Sequence, residues 1–316
     1  MRQPEGVDLE TSMLRAQTLV EGYNIIGCDA LNVGTKDFGA GLDFLLQLRE
    51  SANFPFISAN IIDEDTRELL FDPYVIVKRG AFTFGVTGLT TALPEHVKNL
   101  DLRDPVTEGK RVLKELSEKT DYQVVLFNGS WKEVSDARGP LADADFIFPS
   151  GVVRRPDWRK GQPTAGPKLY PLGKQGKSLG VVRLNVTSPD GPLADVTTLK
   201  RRHDIISRQF ERLNNRDPSR KVEEIFKDNP AVLERIRQMR EESSRLEEEL
   251  SRLENTVEFD FVPMTKKIKD DPTLLAMVSE TLSACSKLEG GETGRKSAPS
   301  AKTVQPEKTS KTGRIR

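Results

Sequence analysis

Four oxygen-bearing side chains stand where chemistry is easiest to assemble. Asp29 and Asn32 lie in the apolar run Cys28 to Val33, Asp37 follows it, and Asn128 closes the apolar run Tyr122 to Phe127. On neighbouring strand ends, four such groups could hold a hard cation such as magnesium, which takes oxygen ligands. Asp and Asn are also favoured in turns and loop caps, where they bond nearby backbone. That plainer role carries more weight. Lys36 offers a cation to an anion at the same place, since ligands of α/β sheets usually sit beyond strand ends. The chain has only two histidines, His96 in the loop Pro94-Glu95-His96 and His203 among Arg201, Arg202 and Asp204. Neither matches a metal-ligand spacing with the other, so both are expected as exposed polar residues. Two distant cysteines, Cys28 and Cys285, exclude a disulfide framework or zinc ribbon. Gly173 to Ser178 approaches a phosphate-binding loop, but Pro171 stands in place of its first glycine and a strand follows where a helix is needed.

The elements that must position these residues alternate between helix and strand. Leu14, Leu19, Val20 and Tyr23 predict an amphipathic helix over 9–26, which Gly27 is placed to end. A second helix is expected at 40–49, a strand at 54–59, and a hairpin from 74–78 and 82–89 joined by Arg79-Gly80-Ala81. Residues 105–118 read as a helix with Val106, Val112, Leu113 and Leu116 inward. Tyr122 to Phe127 has the unbroken apolar character of a strand covered on both faces. Shorter strands are expected at 146–148, 179–187 and 196–200. The fold class is therefore α/β, a layered mixed sheet with flanking helices. It is expected to fill residues 1–203.

A helical extension is expected at 204–286. In the segment 232–257, Val232, Ile236, Met239, Ser243, Leu246, Leu250, Leu253 and Val257 recur alternately four and three apart. Such a seam suits a two-stranded coiled coil, hence self-association or a partner helix through Val232, Ile236, Met239, Leu246, Leu250 and Leu253. It equally suits folding back on the helices at 203–227. The stretch 257–262 alternates as a strand, and 272–282 reads as a last helix. From 287 to 316 a disordered basic tail is expected, with eight Lys/Arg against three Glu.

Composition narrows the function classes. Forty-eight basic residues balance 48 acidic ones among 316, so no global field points to nucleic acid. No stretch approaches the roughly 20 apolar residues of a membrane span. Met1-Arg2-Gln3-Pro4-Glu5 is not followed by the apolar core of a secretory signal.

An ordered succession of motifs resembles the 5′-nucleotidase branch of the metallophosphoesterases over roughly 15–190. The run from Gly27 to Phe38 is similar to a family signature that reads Gly-Tyr-Asp-Ala, a few apolar residues, then Gly-Asn-His-Glu-Phe. Gly41-Leu42-Asp43-Phe44-Leu45, Phe54-Pro55-Phe56-Ile57-Ser58-Ala59-Asn60, Pro73 to Ile76, Gly85 to Thr90, Asp104-Pro105 and Gly173 to Gly180 follow in the family's order. The resemblance implies a layered α/β phosphoesterase fold. It also implies hydrolysis of phosphate esters by two divalent metals held by His, Asp and Asn.

This chain departs from the family at each ligand position that can be aligned. Thr35 replaces the Asn ligand, and Lys36 replaces the His that would steady the phosphoryl transition state. The family's Ser-His falls on Asn128-Gly129, and its Gly-His-Ser-His on Ser150-Gly151-Val152-Val153. Thr35, Lys36, Asp37, Asn128, Gly129, Gly151 and Val153 thus mark a vestigial site. Two earlier motifs, with Asp-x-His and Gly-Asp, are expected upstream of the first helix, beyond this chain. The sequence therefore predicts a catalytically inactive family member, without cofactor, acting in binding or assembly. The alternatives are a metal-dependent hydrolase with an altered site, or an N-terminally incomplete secreted member. The family usually works in the periplasm or outside the cell, and the sequence leaves localisation open.

Overall fold

The long apolar run at 122–127 becomes the middle strand of a five-stranded sheet, and the rest of the molecule is layered on it. The computed structural model describes residues 6–155, 157, 161–163, 166–173, 176–188 and 191–292. The chain begins with α1 (Val7–Ile26), β1 (Leu31–Asn32), a 3-10 turn (Asp37–Ala40), α2 (Leu42–Ser51), β2 (Phe56–Ile57) and β3 (Ile61–Asp63). Then come β4 (Tyr74–Arg79), β5 (Phe82–Thr90), β6 (Leu100–Leu102), α3 (Pro105–Ser117), β7 (Tyr122–Asn128), α4 (Trp131–Ala137) and β8 (Phe146–Ser150). The remainder is β9 (Lys168–Leu169), β10 (Ser178–Asn185), β11 (Leu193–Asp195), α5 (Thr197–Asn214), α6 (Val222–Ile225), α7 (Pro230–Ser251), β12 (Asn255–Pro263) and α8 (Pro272–Glu292).

The main sheet runs β4-β5-β7-β8-β9. Strands β5, β7, β8 and β9 are parallel, and β4 joins as the antiparallel arm of a hairpin turned at Gly80, whose φ of 61° suits glycine. Parallel pairing puts the ends of β5, β7 and β8 on one edge, with Thr90 opposite Asn128 and Asn128 opposite Ser150.

Because side chains alternate along a strand, register sorts the residues onto two faces. Leu89, Val125, Phe127 and Ile147 share the face covered by Val112, Leu113 and Leu116 of α3 and by Val134 and Ala137 of α4. None of these nine is more than 2% exposed. Sequence sets both helices. Asp104 caps α3 by accepting from Thr107 N at 2.7 Å, and Pro105 fills the first turn. Ser130 and Glu133 form a capping box that starts α4.

The opposite face is covered by two separate pieces. The first is the parallel pair β1-β2, which lies over Gly88. The second is a three-stranded sheet ordered β10-β12-β11. There Val257 and Phe259 of β12 are buried with Tyr122, Phe146 and Tyr170, and the rings of Tyr170 and Phe259 stack at 4.3 Å. Strands β3 and β6 make a small antiparallel pair. Helix α1 packs between α2 and α8, with Gly22 against Met277 and Leu274.

Several expectations change. Residues 197–200, expected in a strand, open α5, because Asp195 accepts from Thr197 N at 2.8 Å and only 193–195 pair with β12. The run 28–33 yields a strand of two residues. Strand β12, from the stretch expected as an appendage, is the central strand of its sheet. The heptad seam takes one of its two expected arrangements and folds back within the chain: Ile236, Met239 and Leu246 are buried against α5 residues such as Ile206 and Phe210. Arg202 pairs with Glu242 and His203 with Glu247 to hold α5 and α7 together. Helix α8 runs through 287–292, where the tail was expected to begin; the rest of that tail, 293–316, lies outside the described residues. Among the described residues no helix is long and apolar enough to cross a membrane.

Candidate functional site

The ends of β1, β5, β7 and β8 converge on one edge, and the motif positions gather there. Asn128 is the hub. Its Oδ1 accepts from the Thr35 N–H and the Thr35 hydroxyl, both at 3.1 Å, and its Nδ2 donates to Ser150 Oγ at 2.9 Å. The single Thr35 hydroxyl proton is shared with Ala92 O, the nearer acceptor at 2.7 Å, so the backbone N–H is the firmer of the two bonds to Asn128. Thr90 donates its hydroxyl to Val33 O at 2.5 Å, so the two layers are stitched together beneath the loop. Gly34 has to be glycine here, since an added Cβ would sit 2.6 Å from the Asn128 side chain.

Asp37 turns back to accept the Gly34 N–H at 2.7 Å and so closes the loop that carries Thr35 and Lys36. Crowding around this carboxyl raises its pKa, and the Gly34 N–H opposes the shift. Water reaching the exposed outer side of the residue limits the effect. Asn32 is spent on the strands themselves: Nδ2 donates to Leu89 O at 3.1 Å and Leu126 O at 2.8 Å. Its Oδ1 is buried without a hydrogen-bond partner, pressed over Gly88. Asp29 is drawn away to Arg79 at 2.5 Å. Of the four candidate cation ligands, Asn128 and Asp37 therefore share the loop at 34–37, while Asn32 and Asp29 are engaged elsewhere.

The other motif positions offer less. Gly129 donates its N–H to Ser150 O at 3.2 Å, and Gly151 adopts a positive φ of 80°. Val153 is 74% exposed. Lys36 is exposed and, with Asp37, borders a groove of about 450 Å³ between α1 and α2 walled by Leu19, Tyr23, Phe44 and Phe56. The histidines, expected as exposed, are half-buried and bonded. His96 Nε2 lies 2.9 Å from Phe38 O and pins the 3-10 turn, and His203 Nε2 lies 3.0 Å from Glu247.

A second polar group escaped the sequence reading. Tyr170 donates to Asp195 at 2.5 Å, and burial, with that bond second, pushes the phenol well above its ordinary pKa. Both border a cavity of about 390 Å³ with Arg138, Trp131 and Arg154, the last stacked 4.2 Å over the Trp131 ring. Strands β9 and β11 are too short to signal themselves by alternation. Ser150 was read only as part of a motif, although its position at the end of an apolar run parallels that of Asn128.

Comparison with known proteins places this edge. No family model matches the chain. A 5′-nucleotidase of Vibrio cholerae is 36% identical over 123 residues, and protein UshA of Escherichia coli 32% over 123; each match covers 37% of this chain and 22% of the relative. The chain thus spans about a fifth of the length of these curated relatives. The calcineurin-like phosphoesterase YfkN of Bacillus subtilis superposes with a TM-score of 0.55 at 16% identity, over 89% of this chain and 77% of that one. A 5′-nucleotidase-type structure from Staphylococcus aureus gives 0.53 at 17%, over 85% and 44%. These superpositions show the fold.

Over 37% of its length the chain is similar to the 5′-nucleotidase family, and its fold is that of the calcineurin-like phosphoesterases.

Members of this family are metal-dependent phosphoesterases, which corrects the expectation of a protein without cofactor. The residues that the sequence resemblance sets at the family's ligand positions do not fit a dinuclear centre. Lys36 presents a cation, Gly129, Gly151 and Val153 present no donor side chain, and Thr35 and Asn128 are bonded to each other. Among the described residues no group of three or more His, Cys, Asp or Glu is placed to hold a metal ion.

Proposed function

We propose that this 5′-nucleotidase-family domain does not turn over phosphate esters through its own strand-end residues, and that it serves in binding or assembly. The observation behind this reading is the closed Thr35–Asn128–Ser150 network. Side chains that would face a phosphate in a hydrolase are here consumed by bonds that lock the loop to β7 and β8. In-line displacement needs metal-bound oxygens on both sides of phosphorus, and Lys36 alone supplies charge without a nucleophile. Donors contributed from beyond residues 6–292 would still meet Gly129, Gly151 and Val153 where side-chain ligands are required.

The test is turnover. The purified chain is incubated with nucleoside monophosphates and an aryl phosphate, with magnesium, manganese, zinc and cobalt each supplied in turn. Hydrolysis indistinguishable from the protein-free rate is expected. Reproducible turnover that disappears in Asp37→Ala or Asn128→Ala would overturn the reading.

A further inference from the structure

The face of the main sheet opposite α3 is covered by two pieces that do not meet. Asn32 seats the pair β1-β2 over Gly88, toward the strand ends. The β10-β12-β11 sheet covers Tyr122 and Phe146. Between them an open slot of about 450 Å³ runs from Asp29 to Leu184. Its floor is made of Val77, Phe84, Val86, Val124 and Phe148, which the register of β4, β5, β7 and β8 brings to one face. Each is only half-buried, whereas the residues on the reverse face are sealed.

One flank of the slot, through Val182 and Leu184, is β10, which pairs only with β12 and so keeps one backbone edge unpaired among the described residues. An exposed edge of this kind is a template for another strand. Here it lies above an apolar floor. We propose that the slot accepts an extended strand of a second polypeptide, one with apolar side chains at alternate positions. A strand fits on three counts. Its backbone supplies groups that match the free edge of β10, and neighbouring strands need only about 4.8 Å of lateral room. Its alternate side chains fall on Val86, Val124 and Phe84 while the others face solvent. A helix, about 10 Å across, would leave the β10 edge without partners. Strand addition takes affinity from main-chain bonds and selectivity from alternate pockets, and that division matches a floor that is apolar throughout. The proposal names a partner for the binding role above and rests on it, yet its test reads peptide capture, so either can fail alone.

The probe is a capped octapeptide of alternating valine and threonine with terminal lysines, titrated into the whole chain by calorimetry and by amide hydrogen exchange. A peptide of the same composition with its valines and threonines in blocks is the control. The alternating peptide is expected to bind and to slow exchange at the amides of 178–185 that point away from β12, and the block peptide is not. Val86→Trp, which fills the slot, and Leu184→Glu, which charges its wall, should each weaken capture by about tenfold or more. Ile76→Thr, on the other face of β4, should leave it unchanged; circular dichroism and melting check that every variant is folded. Equal capture of both peptides, or capture untouched by Val86→Trp, would overturn the proposal. So would protection, without peptide, of the β10 amides that point away from β12: independent of concentration it means the slot is already filled within the chain, and rising with concentration it means a second copy fills it.

Discussion

The two faces of the main sheet are built from the same strands, yet one is finished and the other is not. Phe127 and Phe84 lie on adjacent strands of this sheet, one 1% exposed beneath α3 and α4, the other half-open in the slot. The difference lies in what covers them. Helices α3 and α4 each carry their own start signals and flank β7 directly in sequence, one just before it and one just after. The second layer is assembled from strands as distant as 31 and 259, and its two pieces stop short of each other. Local connection produces a closed layer, and long-range assembly leaves the gap at which a partner is proposed.

The largest effect that separates the faces should come from truncating each phenylalanine. Phe127→Ala removes a fully buried ring and should lower unfolding free energy by about 3–5 kcal/mol in a urea titration. Phe84→Ala, on the half-open face, should cost only about 1 kcal/mol. Equal losses would mean that the slot is closed in solution. Next comes Gly88→Ala. Its Cβ would lie 2.3 Å from Asn32 Oδ1 and 2.9 Å from the Ile57 carbonyl, so the β1-β2 piece must lift, at a cost of about 1–3 kcal/mol in the same titration. Asp104→Ala, which uncaps the helix of the finished face, should cost about 1 kcal/mol.

The smallest effect is a pH dependence. The Thr107 hydroxyl and N–H hold the Asp104 carboxyl below its ordinary pKa, and the Thr83 hydroxyl and N–H do the same for Asp121. Both carboxylates are thus favoured by the folded state. Their stabilisation is complete above the unfolded value and is lost as pH falls through the depressed folded values. Melting followed from about pH 5 down to about pH 2.5 should show a decline that is shallower in Asp104→Asn.

Much of this architecture was legible because its signals are local. The strands 74–79, 82–90 and 122–128, the helix at 105–117 and the heptad helix follow from continuous apolar runs or helical spacing. Helix α4 was missed although Ser130 and Glu133 stand at capping-box spacing, because the stretch after 127 was considered only for its motif pair Asn128-Gly129. The segment 197–200 misled because its β-branched threonines favour strand, while the contact at its start is the bond from the Thr197 N–H to Asp195. At the site, sequence gave the identities at 35, 36, 128, 129, 151 and 153. It could not give the bonds that spend Asn128 on Thr35 and Ser150, since these join residues far apart in the chain. Nor could it show that Arg79 claims Asp29.

The pairing of α1 with α8 bears on the order of events during synthesis. Thr18 and Thr281, whose hydroxyls lie 2.7 Å apart across that pair, are 263 residues apart in sequence. At the usual 5–20 residues per second, α1 leaves the ribosome roughly 15–50 s before the helix that covers it. Through that interval Gly22 and the apolar side of α1 around it face the cell without their partner. Chaperone capture of the nascent chain should therefore concentrate on α1 and end only when α8 emerges.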